Sequence, residues 1–147
     1  MTEGHVWPVF AALACLILPF WVLMLLLPTW RVSRSALESP WSLVPVAAAY
    51  VVLVLPELPV VLPLILAPDP HAQAAYFATP AGFLLISAHV AAGDLFVGRW
   101  VYLDGYSAGR SPWLMSAVLL VVMMLTPLGL LLYLAVRWLR SQEESRD

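Results

Sequence analysis

The 147-residue chain contains no lysine, which excludes any chemistry that runs through a Schiff base to retinal or pyridoxal phosphate. A retinal-binding pump or receptor is thereby out. It has one cysteine, Cys15, so no intrachain disulfide can form, and its place inside the first apolar run makes it a small packing residue. Charge is scarce as well: Asp, Glu, Lys and Arg make up 11% of the residues and the formal net charge is -2. No basic run is present, which argues against nucleic-acid binding, since that depends on clustered Lys and Arg neutralising phosphates. Also missing are a G-x-S-x-G elbow, a C-x-x-C pair and a Gly-rich phosphate loop, so hydrolase and nucleotide-binding readings have no support and no cofactor is expected.

What the chain has instead is apolar length. Hydrophobic residues make up 63% of it and the mean hydropathy is +0.90, far from the balance of soluble domains. This composition is that of an integral membrane protein, with room for about four spans of roughly 20 residues and short loops. The expectation is an all-α membrane protein: one domain over residues 1–147, four transmembrane helices, and proline kinks in the second and fourth.

The first run extends from Val6 to Pro28, between Trp7 and Trp30, with Arg31 and Arg34 directly after it. The two tryptophans are 23 residues apart, about 35 Å on a helix, which matches a hydrocarbon core with some interface on each side. A cleaved signal peptide is disfavoured, because the run is longer than an h-region and lacks a basic start and a small-residue cleavage site. Pro8 sits harmlessly in the first turn, whereas Pro19 is expected to kink the helix. The second run, Ser42 to Ala67, carries Pro45, Pro56, Pro59 and Pro63, with Glu57 inside LPELP, so it must be irregular near its centre. A kinked span is the first reading and a re-entrant element shielded from lipid the second. Residues 68–79 read as a loop with a short interfacial helix.

The third span is expected from Pro80 to Tyr102, where Ser87, Ala88, Ala91, Ala92 and Gly93 would let helices approach closely. A polar turn, DGYSAGRSP, leads to a fourth span from Trp113 to Leu139, kinked at Thr126, Pro127 and Gly129. That layout puts Arg31, Arg34, Arg99 and Arg110 on one side and Arg137, Arg140 and Arg146 on the other, almost a tie under the positive-inside rule. The first loop breaks it toward a cytoplasmic first loop and outside termini. The tail SQEESRD is expected to be solvated.

Function is sought where ionisable groups interrupt an apolar segment, in HVAAGDLFVGRWVYLD from His89 to Asp104. At about 100° per residue His89, Gly93, Phe96 and Trp100 share a face, whereas Asp94 points about 140° away from His89 and from Arg99. An intrahelical Asp94–Arg99 pair is therefore not expected. Asp94 should meet a donor from another helix, Arg99 should snorkel toward the interface, and Asp104 should cap the helix end in a more exposed setting. His89, Asp94 and Glu57 are metal-ligand types, but H-x-x-x-x-D lacks the spacing that aims two ligands at one ion, so no metal is expected. General acid–base work by these three remains, against the plainer alternative of helix-to-helix hydrogen bonds. The seven tryptophans, five tyrosines and five phenylalanines form an interfacial belt. They could also wall a groove for an elongated apolar ligand whose polar ends meet His89, Asp94 and Arg99.

The stretch DLFVGRWVYLD from Asp94 to Asp104, with PW at Pro112 and TPLGLLLYLAVR from Thr126 to Arg137, resembles the small abscisic-acid-deficient-type membrane proteins associated with neoxanthin synthesis in plants. LPTWRVSRSALESPW, from Leu27 to Trp41, is similar to the first loop of that family. The resemblance implies a four-span protein of an organelle or a bacterial inner membrane; a chain rich in arginine and alanine without lysine suits the latter. For plant members it implies a requirement in converting an epoxy-xanthophyll to its allenic isomer. Asp94, Arg99, Trp100 and Asp104 carry over as motif positions only; nothing carries over to residues 44–76.

Three readings follow. The first is an enzyme, or the membrane cofactor of one, acting on a carotenoid or other polyisoprenoid, with Asp94, His89 and Glu57 as acid–base groups and Arg99, Trp100, Asp104 and Phe96 as ligand contacts. The second is a non-catalytic helper that binds lipid or a larger membrane complex. The third is a minimal transporter built as a homo-oligomer around Glu57 and Asp94.

Overall fold

The computed structural model describes residues 3–144 of the chain, all of whose regular structure is helical. Residues 145–147, with Arg146, lie outside the described residues, as do the side chains from Arg140 onward, and with them the charged tail whose solvation the sequence suggests. The helices are α1 (Val6–Leu25), α2 (Arg31–Glu38), α3 (Val44–Val54), α4 (Leu58–Leu66), α5 (Pro70–Phe77), α6 (Pro80–Ser107), α7 (Pro112–Met124) and α8 (Thr126–Glu144). Among the described residues three helical stretches are long and apolar enough to cross a membrane: Val6–Leu25, Pro40–Leu66 and Pro80–Ser107.

Prolines shape the second stretch. The LPELP sequence forms a 3-10 turn over Leu55–Glu57 that joins α3 to α4, because Pro56 and Pro59 each remove a donor from the α ladder. Residues 68–79, read as a loop with a short interfacial helix, contain α5. Asp69 caps α5 by accepting from the His71 N–H at 2.9 Å, with Pro70 at the first helical position.

The chain forms two compact units, each assembled from two segments: Met1–Leu18 with Leu43–Gly93, and Pro19–Ser42 with Asp94–Asp147. The first unit buries Leu13, Ile17, Val46, Tyr76, Leu84, Leu85 and Ala88, and Phe10 packs on Phe83 at 5.8 Å between ring centres. The second buries Trp21, Met24, Leu37, Leu95, Tyr102, Leu119, Val122 and Tyr133, among others.

Of the small residues expected to let helices approach, Ala88 is buried and Gly93 is not. Gly93 is exposed and a side chain there would meet nothing. Further along α6, tight contacts occur at Gly98, where a Cβ would lie 2.6 Å from the Trp21 ring, and at Gly105 against Met115. Large side chains from α1 and α7 fill the space these two glycines leave.

The fourth apolar run differs most from expectation. Residues 112–139 are two helices, α7 and α8, and not one kinked span. Leu125 breaks the ladder with φ -146° and ψ 72°, and Gly129 packs directly against the backbone of Val122, seven positions earlier. On a continuous helix those two residues would be about 10 Å apart along the axis. The chain therefore reverses at Leu125. At 13 residues α7 is about 20 Å long, too short to cross a core of about 30 Å by itself.

Candidate functional site

In the first unit a cavity of about 180 Å³ opens among α3, α4, α5 and α6. Its wall is apolar, from Val61, Leu64, Ile65, Phe77, Leu85 and Ile86, and its polar groups are Tyr50, Gln73, Tyr76 and His89. Two of the expected acid–base residues belong to this place. His89 packs its ring against Tyr50 at 5.4 Å, and Glu57 accepts a hydrogen bond of 3.1 Å from the Tyr76 hydroxyl.

Local chemistry places Tyr76 there. Gln73 donates to the Leu64 carbonyl at 3.0 Å, tying α5 to the end of α4, where carbonyls lack helical partners. Thr79 then donates to the Tyr76 carbonyl at 2.7 Å and accepts from the Gly82 N–H at 3.1 Å, capping α6 with Pro80 at its first position. The turn is so tight that a Cβ on Gly82 would run into the Tyr76 backbone. Only glycine fits.

Burial, and after it the charge of Glu57, pushes the Tyr76 phenol up to about 12 from its ordinary 10.0. The folded value lies above that of the unfolded chain, so this group's contribution to stability is complete below about pH 10 and is lost as pH rises through about 12. Thermal unfolding followed across that window should show a fall in midpoint for the wild type that is smaller in Tyr76→Phe.

The second unit holds the remaining residues. Asp94, half-buried on α6, accepts a hydrogen bond from the Thr126 hydroxyl at the start of α8; that hydroxyl also lies 2.8 Å from the Val122 carbonyl. Asp104 is not an exposed cap. It lies within α6 with its side chain 26% exposed, accepts from the Tyr133 hydroxyl and sits 3.4 Å from Arg137. Arg99 donates from Nε to the Leu37 carbonyl at 2.6 Å and from Nη2 to the Glu38 carbonyl at 3.1 Å. It thus caps the C-terminus of α2, where a cation also favours the helix dipole. Trp100 meets Tyr133 edge-on at 5.5 Å, and Phe96 is 58% exposed. Arg99, Trp100 and Asp104 line one cleft with Arg34, Glu38 and Tyr106; Phe96 does not. Among the described residues no group of three His, Cys, Asp or Glu side chains is placed to hold a metal ion.

Arg99→Ala should free the end of α2 and cost about 2 kcal/mol, the scale of hydrogen bonds from a charged donor. Faster amide exchange in residues 31–38, with α6 unchanged, is the expected readout.

With this geometry in view, the ABA DEFICIENT 4-like family matches residues 8–133. The chain belongs to this family. No curated protein and no solved structure matches it. The matched range takes in both units, including Glu57, Tyr76 and the other cavity residues, which the motif resemblance left out.

Sequence reasoning missed Tyr50, Gln73, Tyr76, Thr126 and Tyr133. Tyr76 and Glu57 are 19 positions apart on different helices, so no periodicity pairs them.

Proposed function

We propose that this protein binds an elongated polyisoprenoid such as a carotenoid in a bacterial inner membrane and catalyses its isomerisation in the first-unit cavity. The observation that carries this reading is the makeup of that cavity: apolar walls, with two phenols, an imidazole and an amide as its polar groups and a carboxyl bonded to the Tyr76 phenol. Family membership supports the ligand class, through the neoxanthin association of plant members.

Opening an epoxide beside a polyene needs one group to protonate oxygen and another to take a proton from carbon. In this scheme the Tyr76 hydroxyl gives its proton to the epoxide oxygen as the C–O bond breaks, and the Glu57 carboxylate relays back to the phenolate the proton that His89 has taken. His89 removes the proton from carbon, and the electron pair of that C–H bond becomes the new double bond. One proton enters and one leaves, so the net change is an isomerisation with no co-reactant. Asp94 takes no part in this version; its carboxyl anchors the start of α8. Arg99 and Asp104 are likewise engaged in holding the second unit, where Trp100 packs on Tyr133, and neither Trp100 nor Phe96 lines the cavity.

A helper role is the second reading, favoured by one feature: an 18-residue apolar window of Pro40–Leu66 has no buried residue, leaving it to lipid, a second copy or a partner protein. Expression in a host that makes epoxy-carotenoids separates the two. A new pigment isomer that disappears in Glu57→Gln and His89→Ala supports catalysis. An unchanged pigment profile, or stable co-purifying subunits without bound pigment, refutes it.

A further inference from the structure

The second unit fixes how α7 and α8 meet the bilayer. Along α8, Thr126 pairs with Asp94 and Tyr133 with Asp104, at sequence separations of 32 and 29. A near-constant separation means that α8 runs parallel to the second half of α6. Arg110, just before α7, lies over the Tyr133 ring at 5.3 Å, and Met115 packs at Gly105, so α7 begins beside the end of α6 and runs the other way.

Asp94 is the midpoint of the 28-residue α6, whose length of about 42 Å exceeds the hydrocarbon core. The Leu125–Thr126 reversal thus reaches mid-bilayer depth and turns back. From Thr126, α8 regains the starting level at Arg137 and Trp138, about 17 Å on. Irregular backbone at that depth must keep its polar groups paired, and here the Thr126 hydroxyl meets the Val122 carbonyl and the Leu125 N–H donates to the Val121 carbonyl, while the apolar Met124, Leu125 and Leu128 side chains are exposed.

We propose that α7 and α8 form a re-entrant hairpin that enters and leaves the bilayer on the face carrying α2, and that the arginine surface gathered there seats anionic phospholipid headgroups of the cytoplasmic leaflet. The charge distribution fits this arrangement. Every arginine of the chain lies within Pro19–Ser42 or Asp94–Asp147, and the other unit contains none. A four-span layout divides the arginines four to three; with a re-entrant hairpin they share one face, and the positive-inside rule makes that face cytoplasmic. Around Tyr106 this face holds a cleft of about 290 Å³ lined by Trp30, Arg31, Arg34, Ser35 and the Arg34-paired Glu38. Arg34 lies over the Tyr106 ring at 4.6 Å and pairs with Glu38 at 2.6 Å, whereas Arg31 has no ion pair among the described residues. The Arg31 guanidinium, in a cleft with the Trp30 and Tyr106 rings, suits a phosphate-bearing headgroup.

The test uses the full chain with Cys15→Ser and a single new cysteine, Ala108→Cys or Ser141→Cys, expressed in a bacterial inner membrane. An impermeant maleimide should label both only in inverted vesicles. Labelling of position 141 in intact spheroplasts, with position 108 reached only in inverted vesicles, overturns the hairpin; labelling of both in spheroplasts overturns the cytoplasmic assignment. For the lipid, protein in nanodiscs of phosphatidylcholine with phosphatidylglycerol is released for native mass spectrometry. Retained phosphatidylglycerol should fall roughly fivefold for each of Arg31→Gln and Arg34→Gln. Equal retention in wild type and variants overturns the headgroup site.

Discussion

Tyr76→Phe should lower conversion of an epoxy-carotenoid by between about a hundredfold and ten-thousandfold, the range that a positioned proton donor contributes. The substitution deletes one oxygen and leaves the ring between α5 and α6, where Tyr76 is 9% exposed and packs on Phe77 at 5.6 Å. Loss of activity without loss of bound pigment therefore marks a chemical role. Glu57→Gln keeps a hydrogen-bond acceptor for the phenol but cannot resupply its proton, and should fall in the same range. Gly82→Ala should do comparable damage by a different route, because a methyl group there drives into the Tyr76 backbone and displaces the phenol. Pigment analysis of the three variants at equal membrane abundance checks the set. Near-wild-type conversion in Tyr76→Phe would remove the phenol from the mechanism.

Gly129→Val should have the largest effect on stability, on the order of 3 kcal/mol, since the added side chain meets backbone atoms of Val122 that have no room to give. The damage should concentrate at the α7–α8 reversal and spread to the Thr126–Asp94 bond beside it. Denaturant titration in detergent measures the loss. Because Gly98 faces a ring and not backbone, Gly98→Ala should cost less, as the Trp21 side chain has some freedom to shift.

The long apolar runs announce their helices directly: α1, the α3–α4 pair and α6 lie within a few residues of where hydropathy and the flanking tryptophans put them. LPELP also declared its irregularity, since two prolines three positions apart leave an α ladder no complete turn. The reversal at Leu125 was not legible. Residues 113–139 have the length of a span, and Thr126, Pro127 and Gly129 are the same residues a kink would use. Whether the chain bends or folds back depends on whether α7 can accept the Gly129 backbone at close range, which is a tertiary matter.

The candidate site was legible in part for a related reason. Glu57 and His89 stood out as ionisable residues in apolar surroundings, and both lie at the first-unit cavity, Glu57 through Tyr76. Asp94, Arg99 and Asp104 stood out equally, yet they bond within the second unit to Thr126, to the end of α2, and to Tyr133 with Arg137. An isolated charge in a span signals that a partner exists; it does not say whether that partner is substrate or protein. Tyr50, Gln73 and Tyr76 are neutral side chains of the kind that populate any interfacial loop, so composition gave them no prominence.

The central claim is that the first-unit cavity holds the end group of a polyene. The direct measurement is to extract the protein natively from carotenoid-producing membranes and record its absorption spectrum with mass spectrometry of the bound molecules, for the wild type and for Ile86→Trp, which fills the cavity. The account predicts a carotenoid retained near one per chain in the wild type and lost from Ile86→Trp. Purified wild type without any polyene, or equal retention by folded Ile86→Trp, would contradict it.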